Sequence, residues 1–209
     1  NLKAAKVKTQ DRQLSQEKTD TILNGAMQEF RKQGYAATSV DRIAIAAGVS
    51  KATIYNHFQD KQALFRALAQ NLTTKKFRTV FGIGLEDTQL PQGEPGQVLR
   101  QFALSVLDSD KEDPLFLDFM RLIIGESGRF PELARVMVET MHKSAFAYLS
   151  KYFASCPQLK SSDPEAIARV FIGTLVHFII VQKILHGEDI VPLESDRLVD
   201  TLIELIIEE

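Results

Sequence analysis

The sequence predicts an all-α protein on three observations. Apolar residues recur at intervals of three and four along most of the chain, which is the period of an amphipathic helix. The 11 glycines and seven prolines of the 209 residues fall mostly in a few clusters and leave long uninterrupted segments for helices. No convincing strand is found, because the β-branched run 179–181 lies inside a long helical period.

The chain begins with a tail and one amphipathic helix. Residues 1–16 are polar and basic and show no periodicity, which indicates a flexible basic tail. Between residues 18 and 33 apolar side chains line one helical face, and Gly34 ends that helix. The apolar positions are Ile22, Leu23, Ala26, Met27 and Phe30.

Two short capped helices follow, on either side of the run Ala-Gly-Val-Ser at 47–50. A cap within residues 38–41 starts the first, which is about two turns long before Gly48 breaks it. Ser50 caps the second, which runs to residue 57 or 58. These are the proportions of a helix-turn-helix, with the helix over 18–33 as a third wall. The alternative is a plain helical hairpin.

The rest of the chain forms a larger helical body. Asp60 caps a longer helix, and residues 82–97 form the clearest linker. Further helices are predicted at 97–107, 115–124, 130–153, 165–185 and 194–207. The predicted division is a tail over 1–16, a helix-turn-helix domain over 17–62 and a body over 63–209.

Charge is distributed unevenly between the two ends. Residues 1–80 hold 14 Lys and Arg against six Asp and Glu, whereas residues 81–209 hold 11 against 21. A basic segment joined to an acidic body indicates a polyanionic partner at one end, unless the charges cluster by chance on a solvated surface. Combined with the helix-turn-helix, the pattern predicts that the first domain binds double-stranded DNA. The side chains suited to bases and phosphates on its second short helix are Lys51, Thr53, Tyr55 and Asn56.

The same residues carry a family resemblance. The runs Gly-Tyr-Ala-Ala-Thr-Ser-Val at 34–40, Ala-Gly-Val-Ser-Lys-Ala-Thr-Ile-Tyr-Asn-His-Phe at 47–58 and Asp-Lys-Gln-Ala-Leu at 60–64 resemble the DNA-binding domain of the TetR family of bacterial transcriptional regulators. The resemblance implies a homodimer with two DNA-binding heads and a helical ligand-binding body. A shorter stretch at 121–133 resembles AefR-like regulators related to multidrug efflux.

The resemblance also implies residue roles at the DNA. Thr38, Ser39 and Lys61 would meet phosphates at helix N-termini. Tyr55 and His57 look like the phosphate-clamping pair of the family, although a core ring and a hydrogen-bonded turn residue are the alternatives. Lys51, Thr53 and Asn56 would read bases. The complete predicted DNA-binding set is Thr38, Ser39, Ser50, Lys51, Ala52, Thr53, Tyr55, Asn56, His57 and Lys61.

The last two helices are apolar on more than one face. Such helices are buried, and a dimer interface would cover the second face, whereas in a monomer they would lie at the centre. The resemblance implies an intersubunit four-helix bundle built from these helices. The predicted interface residues are Phe171, Thr174, Leu175, Phe178, Val181, Val199, Leu202 and Ile206.

The other helices of the body are predicted to enclose a cavity for a small-molecule inducer of unknown identity. Soft apolar side chains would line it and two histidines would supply polar contacts, with ordinary core packing as the alternative. The predicted lining is Phe102, Phe116, Phe119, Met120, Ile123, Met137, Met141, His142 and His177.

Little in the sequence supports an enzyme, a metal site or a bound cofactor. Residues 125–129 miss the Gly-x-Ser-x-Gly elbow, and the four histidines lack metal-binding spacing. The single Cys156 excludes an intramolecular disulfide framework. The apolar run 170–181 is expected to be too short for a membrane span, so a cytoplasmic protein is predicted.

These observations together predict a DNA-binding transcriptional regulator. The preferred form is a homodimeric repressor that a small hydrophobic or amphipathic ligand releases from a palindromic operator. The alternatives are a DNA-binding architectural or activator protein without an inducer and a helical enzyme whose N-terminal module serves another purpose.

Overall fold

A computed structural model of the chain describes residues 2–82, 89–108 and 114–208, with only the backbone for residues 2–13 and 81. Within these residues the secondary structure is helical, apart from one isolated bridge between Leu159 and Ile207. The predicted all-α class is confirmed.

Ten α-helices are described. In chain order they are α1 (Leu2–Ala37), α2 (Val40–Ala47), α3 (Lys51–His57), α4 (Lys61–Phe81), α5 (Pro95–Leu107), α6 (Pro114–Glu126), α7 (Pro131–Met137), α8 (Lys143–Ala154), α9 (Pro164–Phe178) and α10 (Ser195–Ile206). The described residues also include two π-helical segments: Val138–His142 joins α7 to α8, and Ile179–Ile184 extends α9.

The first helix differs from its predicted extent. It begins at Leu2, so the segment expected to be a flexible tail is helical from that residue onward. Lys, Gln, Ala and Leu have high helix propensity, and adding residues to an existing helix is easier than nucleating one. The predicted stop is present as a break at Gly34, which has a φ of 77° and a ψ of 170°.

The chain divides into two compact units. Unit 1 consists of Asn1–Asn71 and Asp118–Val136, and unit 2 consists of Leu72–Leu117 and Met137–Glu209. Unit 1 therefore includes a segment from the middle of the chain as well as the helix-turn-helix. The domain division after residue 62 stays a prediction.

Aromatic rings fill the core of unit 1. Phe30, on the predicted apolar face of α1, lies 5.5 Å from the ring of Tyr35 and 5.7 Å from that of Phe65. Phe65 in turn lies 5.6 Å from Phe119 of α6. Because Phe30, Phe65 and Phe119 are fully buried, the α6 segment is part of this core.

The core of unit 2 contains six residues that the sequence assigned to a dimer interface. Phe171 packs 5.7 Å from the ring of Phe102 and 5.8 Å from that of Phe153, so α5 and α8 cover this face of α9. The six side chains are at most 8% exposed within a single chain and are reassigned to its own core: Phe171, Leu175, Phe178, Val199, Leu202 and Ile206. Thr174 and Val181 remain partly exposed.

One described helix, Pro164–Ile184, is 21 residues long and apolar enough to cross a membrane by length and composition alone. It is longer than the run 170–181 that the sequence suggested was too short. Core helices of soluble proteins pass the same test. The side chain of Gln182 is buried and donates to the carbonyl of Val191 at 2.8 Å, so its amide has a partner within the protein.

Candidate nucleic-acid interface

The α2–α3 turn is built by local capping. Gly48 ends α2 in the left-handed region, with a φ of 64°, and its N–H bonds to carbonyls of the preceding turn. Ser50 caps α3 by accepting from the N–H of Thr53 at 3.0 Å. The hydroxyl groups of Ser50 and Thr53 are 2.8 Å apart. The predicted caps are confirmed, and Ser39 is the cap of α2.

One face of α3 is exposed and chemically suited to DNA. Ile54 is buried, whereas Lys51, Ala52, Tyr55 and Asn56 point away from the core. Tyr55 is 48% exposed, so its alternative assignment to the core is not supported. The exposed side chains offer an ammonium group, a phenol and an amide, which are donors for phosphates and base edges.

Lys51 already forms an ion pair at this surface. Its Nζ lies 2.9 Å from Oδ2 of Asp41, which is in the first turn of α2. That hydrogen bond and the nearby negative charge raise the pKa of Lys51. The ammonium therefore stays protonated, but a DNA phosphate has to displace or share the carboxylate to reach it.

Asp41→Asn should strengthen binding to random-sequence duplex DNA by about twofold to fivefold, because exposed ion pairs are weak and Lys51 becomes available to phosphate. The slope of log affinity against log salt should become steeper by up to about one. Fluorescence anisotropy over a salt series measures both quantities. In a Lys51→Ala background the substitution should have a smaller effect, and an equal effect in both backgrounds would contradict the pairing.

Thr38 does not offer its hydroxyl group to DNA. The side chain is 2% exposed, and its Oγ1 lies 2.8 Å from the carbonyl of Gly34 and 3.1 Å from that of Glu29. Its predicted phosphate contact is therefore replaced by a structural role at the end of α1. Ser39 is exposed and keeps its predicted position at the start of α2.

Lys61 also has a structural role in place of its predicted phosphate contact. Its Nζ donates to the carbonyls of Tyr35 at 2.8 Å, Ala36 at 3.3 Å and Thr38 at 2.9 Å. It also lies 4.4 Å from the centre of the Tyr35 ring. Burial lowers the pKa of Lys61, while Glu126 opposes that shift. The ammonium group thus binds carbonyls at the end of α1 and in the connection from α1 to α2.

His57 lies at the end of α3 and is partly exposed. Its Nδ1 is 3.3 Å from the hydroxyl oxygen of Thr19 on α1. This contact matches the alternative of a hydrogen-bonded turn residue. A phosphate contact through the rest of the ring stays a prediction.

Sequence reasoning missed two residues. Asp41 lies within the predicted cap segment 38–41, but its pairing with Lys51 ten positions later depends on how α2 and α3 cross. Glu126 accepts from the N–H of Tyr35 at 2.8 Å, over a separation of 91 residues that no local pattern could identify.

The predicted ligand residues are distributed over both units. Phe119, Met120 and Ile123 belong to unit 1, and the remaining six belong to unit 2. His177 is exposed, because it lies on the side of α9 away from Phe171 and Phe178. It is therefore withdrawn from the predicted cavity lining. The other ligand assignments stay predictions.

His142 has an unusual environment within unit 2. It ends the π-helical segment Val138–His142, and its Nδ1 is buried without a hydrogen-bond partner among the described residues. Burial lowers its pKa. Across the described ranges no group of three or more His, Cys, Asp and Glu side chains has the arrangement of a metal site.

Two family models match the chain. The model for bacterial regulatory proteins of the tetR family matches residues 22–68, and the model for the C-terminal domain of AefR-like transcriptional repressors matches residues 97–208. Together they include α2, α3 and most of the helical body.

Individual relatives match parts of the chain. The HTH-type transcriptional regulator AcrR of Shigella flexneri is 36% identical over 98 residues, which are 47% of this chain and 44% of AcrR. The HTH-type transcriptional repressor AcnR of Corynebacterium efficiens is 41% identical over 64 residues, 31% of this chain and 34% of AcnR. The chain thus spans less than half the length of these two relatives.

Solved structures match over nearly the whole length. The flavonoid-responsive regulator FrrA has a TM-score of 0.71 and 28% identity, over 91% of this chain and 97% of its own. A putative TetR-family transcriptional regulator from Mesorhizobium loti has a TM-score of 0.68 and 26% identity, over 91% and 95%.

Proposed function

Because this chain belongs to the TetR family of bacterial transcriptional regulators, we propose that it is a cytoplasmic homodimeric repressor that a small hydrophobic or amphipathic molecule releases from a palindromic operator. The observation that supports DNA binding is the capped α2–turn–α3 pair. Its exposed face on α3 consists of Lys51, Ala52, Tyr55 and Asn56. The basic balance of residues 1–80 favours the same partner.

In this proposal α3 enters the major groove. Tyr55 anchors the phosphate backbone, and Lys51 and Asn56 contact base edges. Ser39, at the start of α2, contributes a further phosphate contact. Thr53 has less freedom to read a base, since its hydroxyl group lies beside that of Ser50.

The homodimer uses a different face of α9 and α10 from the one the sequence indicated. On α9 and its π-helical extension the residues outside the core recur at helical spacings of one, three or four: Val170, Gly173, Thr174, His177 and Val181. On α10 the face contains Thr201 and Leu205. We define these seven residues as the outer face.

Two features of the outer face favour its burial against a second copy of the chain. Val170 and Leu205 are apolar but 53% and 70% exposed. The hydroxyl group of Thr174 donates to the carbonyl of Val170 at 2.8 Å, and that of Thr201 donates to the carbonyl of Arg197 at 2.9 Å. The two threonines therefore need no polar partner when the face is covered.

A selection of duplexes from a random-sequence library by the full chain tests the proposal. The enriched DNA should contain an inverted repeat with half-sites one helical turn apart, about 34–36 Å, or a multiple of it. Asn56→Ala should relax preference at one position of each half-site, whereas Tyr55→Ala should weaken binding to all sequences. Enrichment of no sequence would contradict operator recognition, and enrichment of single half-sites would contradict the dimer.

The selected duplex also provides the test of induction. FrrA is by its name flavonoid-responsive, so a flavonoid is the first probe. An inducer should weaken operator binding by about fivefold to 150-fold, and operator should weaken inducer binding by the same factor. Calorimetric titration of the flavonoid with and without operator measures this. Equal affinity in both titrations would exclude that flavonoid as an inducer.

A further inference from the structure

The end of α1, after its break at Gly34, is packed on several sides within unit 1. The ring of Tyr35 lies 5.5 Å from Phe30, 5.4 Å from Phe65 and 5.2 Å from Phe130. Phe130 belongs to the part of unit 1 that comes from Asp118–Val136. The turn that leads into α2 thus packs against residues far outside the helix-turn-helix sequence.

Glu126, the last residue of α6, makes the polar contact in this arrangement. Its Oε1 accepts from the N–H of Tyr35 at 2.8 Å. A Cβ on the adjacent Gly34 would lie 2.6 Å from the same oxygen, and Gly34 has a φ of 77°. Glycine is therefore favoured by the backbone conformation, and a Cβ at this position would displace the Glu126 carboxylate from its present place.

The contact between Glu126 and Tyr35 is connected to the DNA-binding surface through the backbone of α2 and α3. Tyr35 is four residues before Ser39, which caps α2, and α2 leads through the Gly48 turn to α3. A charged acceptor forms a shorter and stronger hydrogen bond to a backbone N–H than a neutral one. Holding the Tyr35 amide therefore restricts the orientation of the whole α2–α3 pair.

We propose that Glu126 is a positioning residue for DNA binding, which acts through the Tyr35 amide to set the orientation of α2 and α3. The proposal rests on DNA binding by the exposed face of α3. Under this proposal the DNA-binding unit has two parts, the helices α1 to α3 and the segment Asp118–Val136 that contains Glu126. Without the contact, a smaller fraction of molecules holds the binding-competent arrangement, and the apparent affinity falls by that fraction.

The ion pairing of Asp118, which lies on α6 like Glu126, is expected to contribute little to the affinity for DNA. Asp118 forms ion pairs with Arg31 at 2.9 Å and with Arg121 at 3.1 Å, and the two arginines are 58% and 35% exposed. Exposed ion pairs of this type have small effects on stability. Asp118→Ala is therefore a matched control, because it removes a carboxylate from the same segment without touching the Tyr35 amide.

The experiment compares Glu126→Ala, Glu126→Gln and Asp118→Ala in the full chain, using the duplex that the wild type selects from a random library. Fluorescence anisotropy should show binding weakened roughly threefold to tenfold by Glu126→Ala. Glu126→Gln should lose less affinity than Glu126→Ala, because its amide oxygen still accepts, although without the negative charge. Asp118→Ala should leave binding unchanged.

Amide hydrogen exchange supplies a readout specific to the contact. The Tyr35 amide should exchange faster in Glu126→Ala than in wild type or Glu126→Gln. If Glu126→Ala unfolds the chain, Glu126→Asp, with a carboxylate one methylene shorter, should show the same changes. Wild-type affinity in Glu126→Ala, or equal losses in Glu126→Ala and Glu126→Gln, would overturn the positioning role. Enrichment of no duplex by the wild type would instead overturn the proposed function itself.

Discussion

Leu205→Glu is expected to convert the proposed dimer into folded monomers. Leu205 is 70% exposed on α10, so glutamate there meets water in a single chain and leaves the core intact. In a dimer it would bury a charge without a partner, which is strongly destabilising. Sedimentation velocity should show the monomer, and the thermal unfolding of that monomer should remain cooperative.

Loss of the dimer should also lower operator affinity by about a hundredfold or more. Two linked heads bind a palindrome with a high effective concentration for the second contact, and single heads lose that advantage. Leu202→Glu is the matched control on the same helix, because Leu202 is 4% exposed. It should unfold unit 2 rather than separate subunits. A Val170→Glu, Leu205→Glu double variant that still sediments as a dimer would contradict the outer face as the interface.

The second large effect concerns Lys61. Lys61→Ala removes an ammonium group that donates to the carbonyls of Tyr35, Ala36 and Thr38, and it removes the contact with the Tyr35 ring. Bonds to a charged donor contribute about 2–3 kcal/mol, and the carbonyls lose a partner. The free energy of unfolding of unit 1 should therefore fall by about that amount.

Chemical denaturation, followed by amide exchange at residues 34–40, measures this change. Gln62→Ala is a suitable control, because Gln62 is the exposed neighbour in the same turn of α4. The two interpretations of Lys61 give different results. A phosphate anchor predicts unchanged stability and weaker DNA binding, whereas a structural ammonium group predicts a loss of stability in the absence of DNA. Unchanged stability in Lys61→Ala would contradict the structural role.

The helix boundaries around the α2–α3 turn and at the start of α4 were predictable because their causes are local. Gly48 ends α2, and Ser50 and Asp60 bond to N–H groups three residues further along the chain. Such caps depend on residue type and spacing alone. The exposed face of α3 follows from the same spacing, once Ile54 is assigned to the core.

The roles of Thr38 and Lys61 were not predictable in this way. Both resemble phosphate contacts when only their position near a helix start is considered. Their actual partners are backbone carbonyls, up to 26 residues away for Lys61. For Lys61 this partner depends on the packing of α1 against α4, and for Thr38 it depends on how the chain folds back onto the end of α1 after the break at Gly34. A sequence pattern contains neither.

The sequence by itself determined the helical class, the capped α2–turn–α3 pair and the excess of apolar residues on the last two helices, because propensity, capping and periodicity act over a few residues. Only the tertiary structure decided which apolar face the chain uses for its own core. Phe171 and Leu202 pack inside unit 2, and Val170 and Leu205 remain outside. The same holds for Glu126 and Tyr35, whose contact spans 91 residues. Helical periodicity shows that a face is apolar, but the identity of its partner is fixed only when distant segments meet.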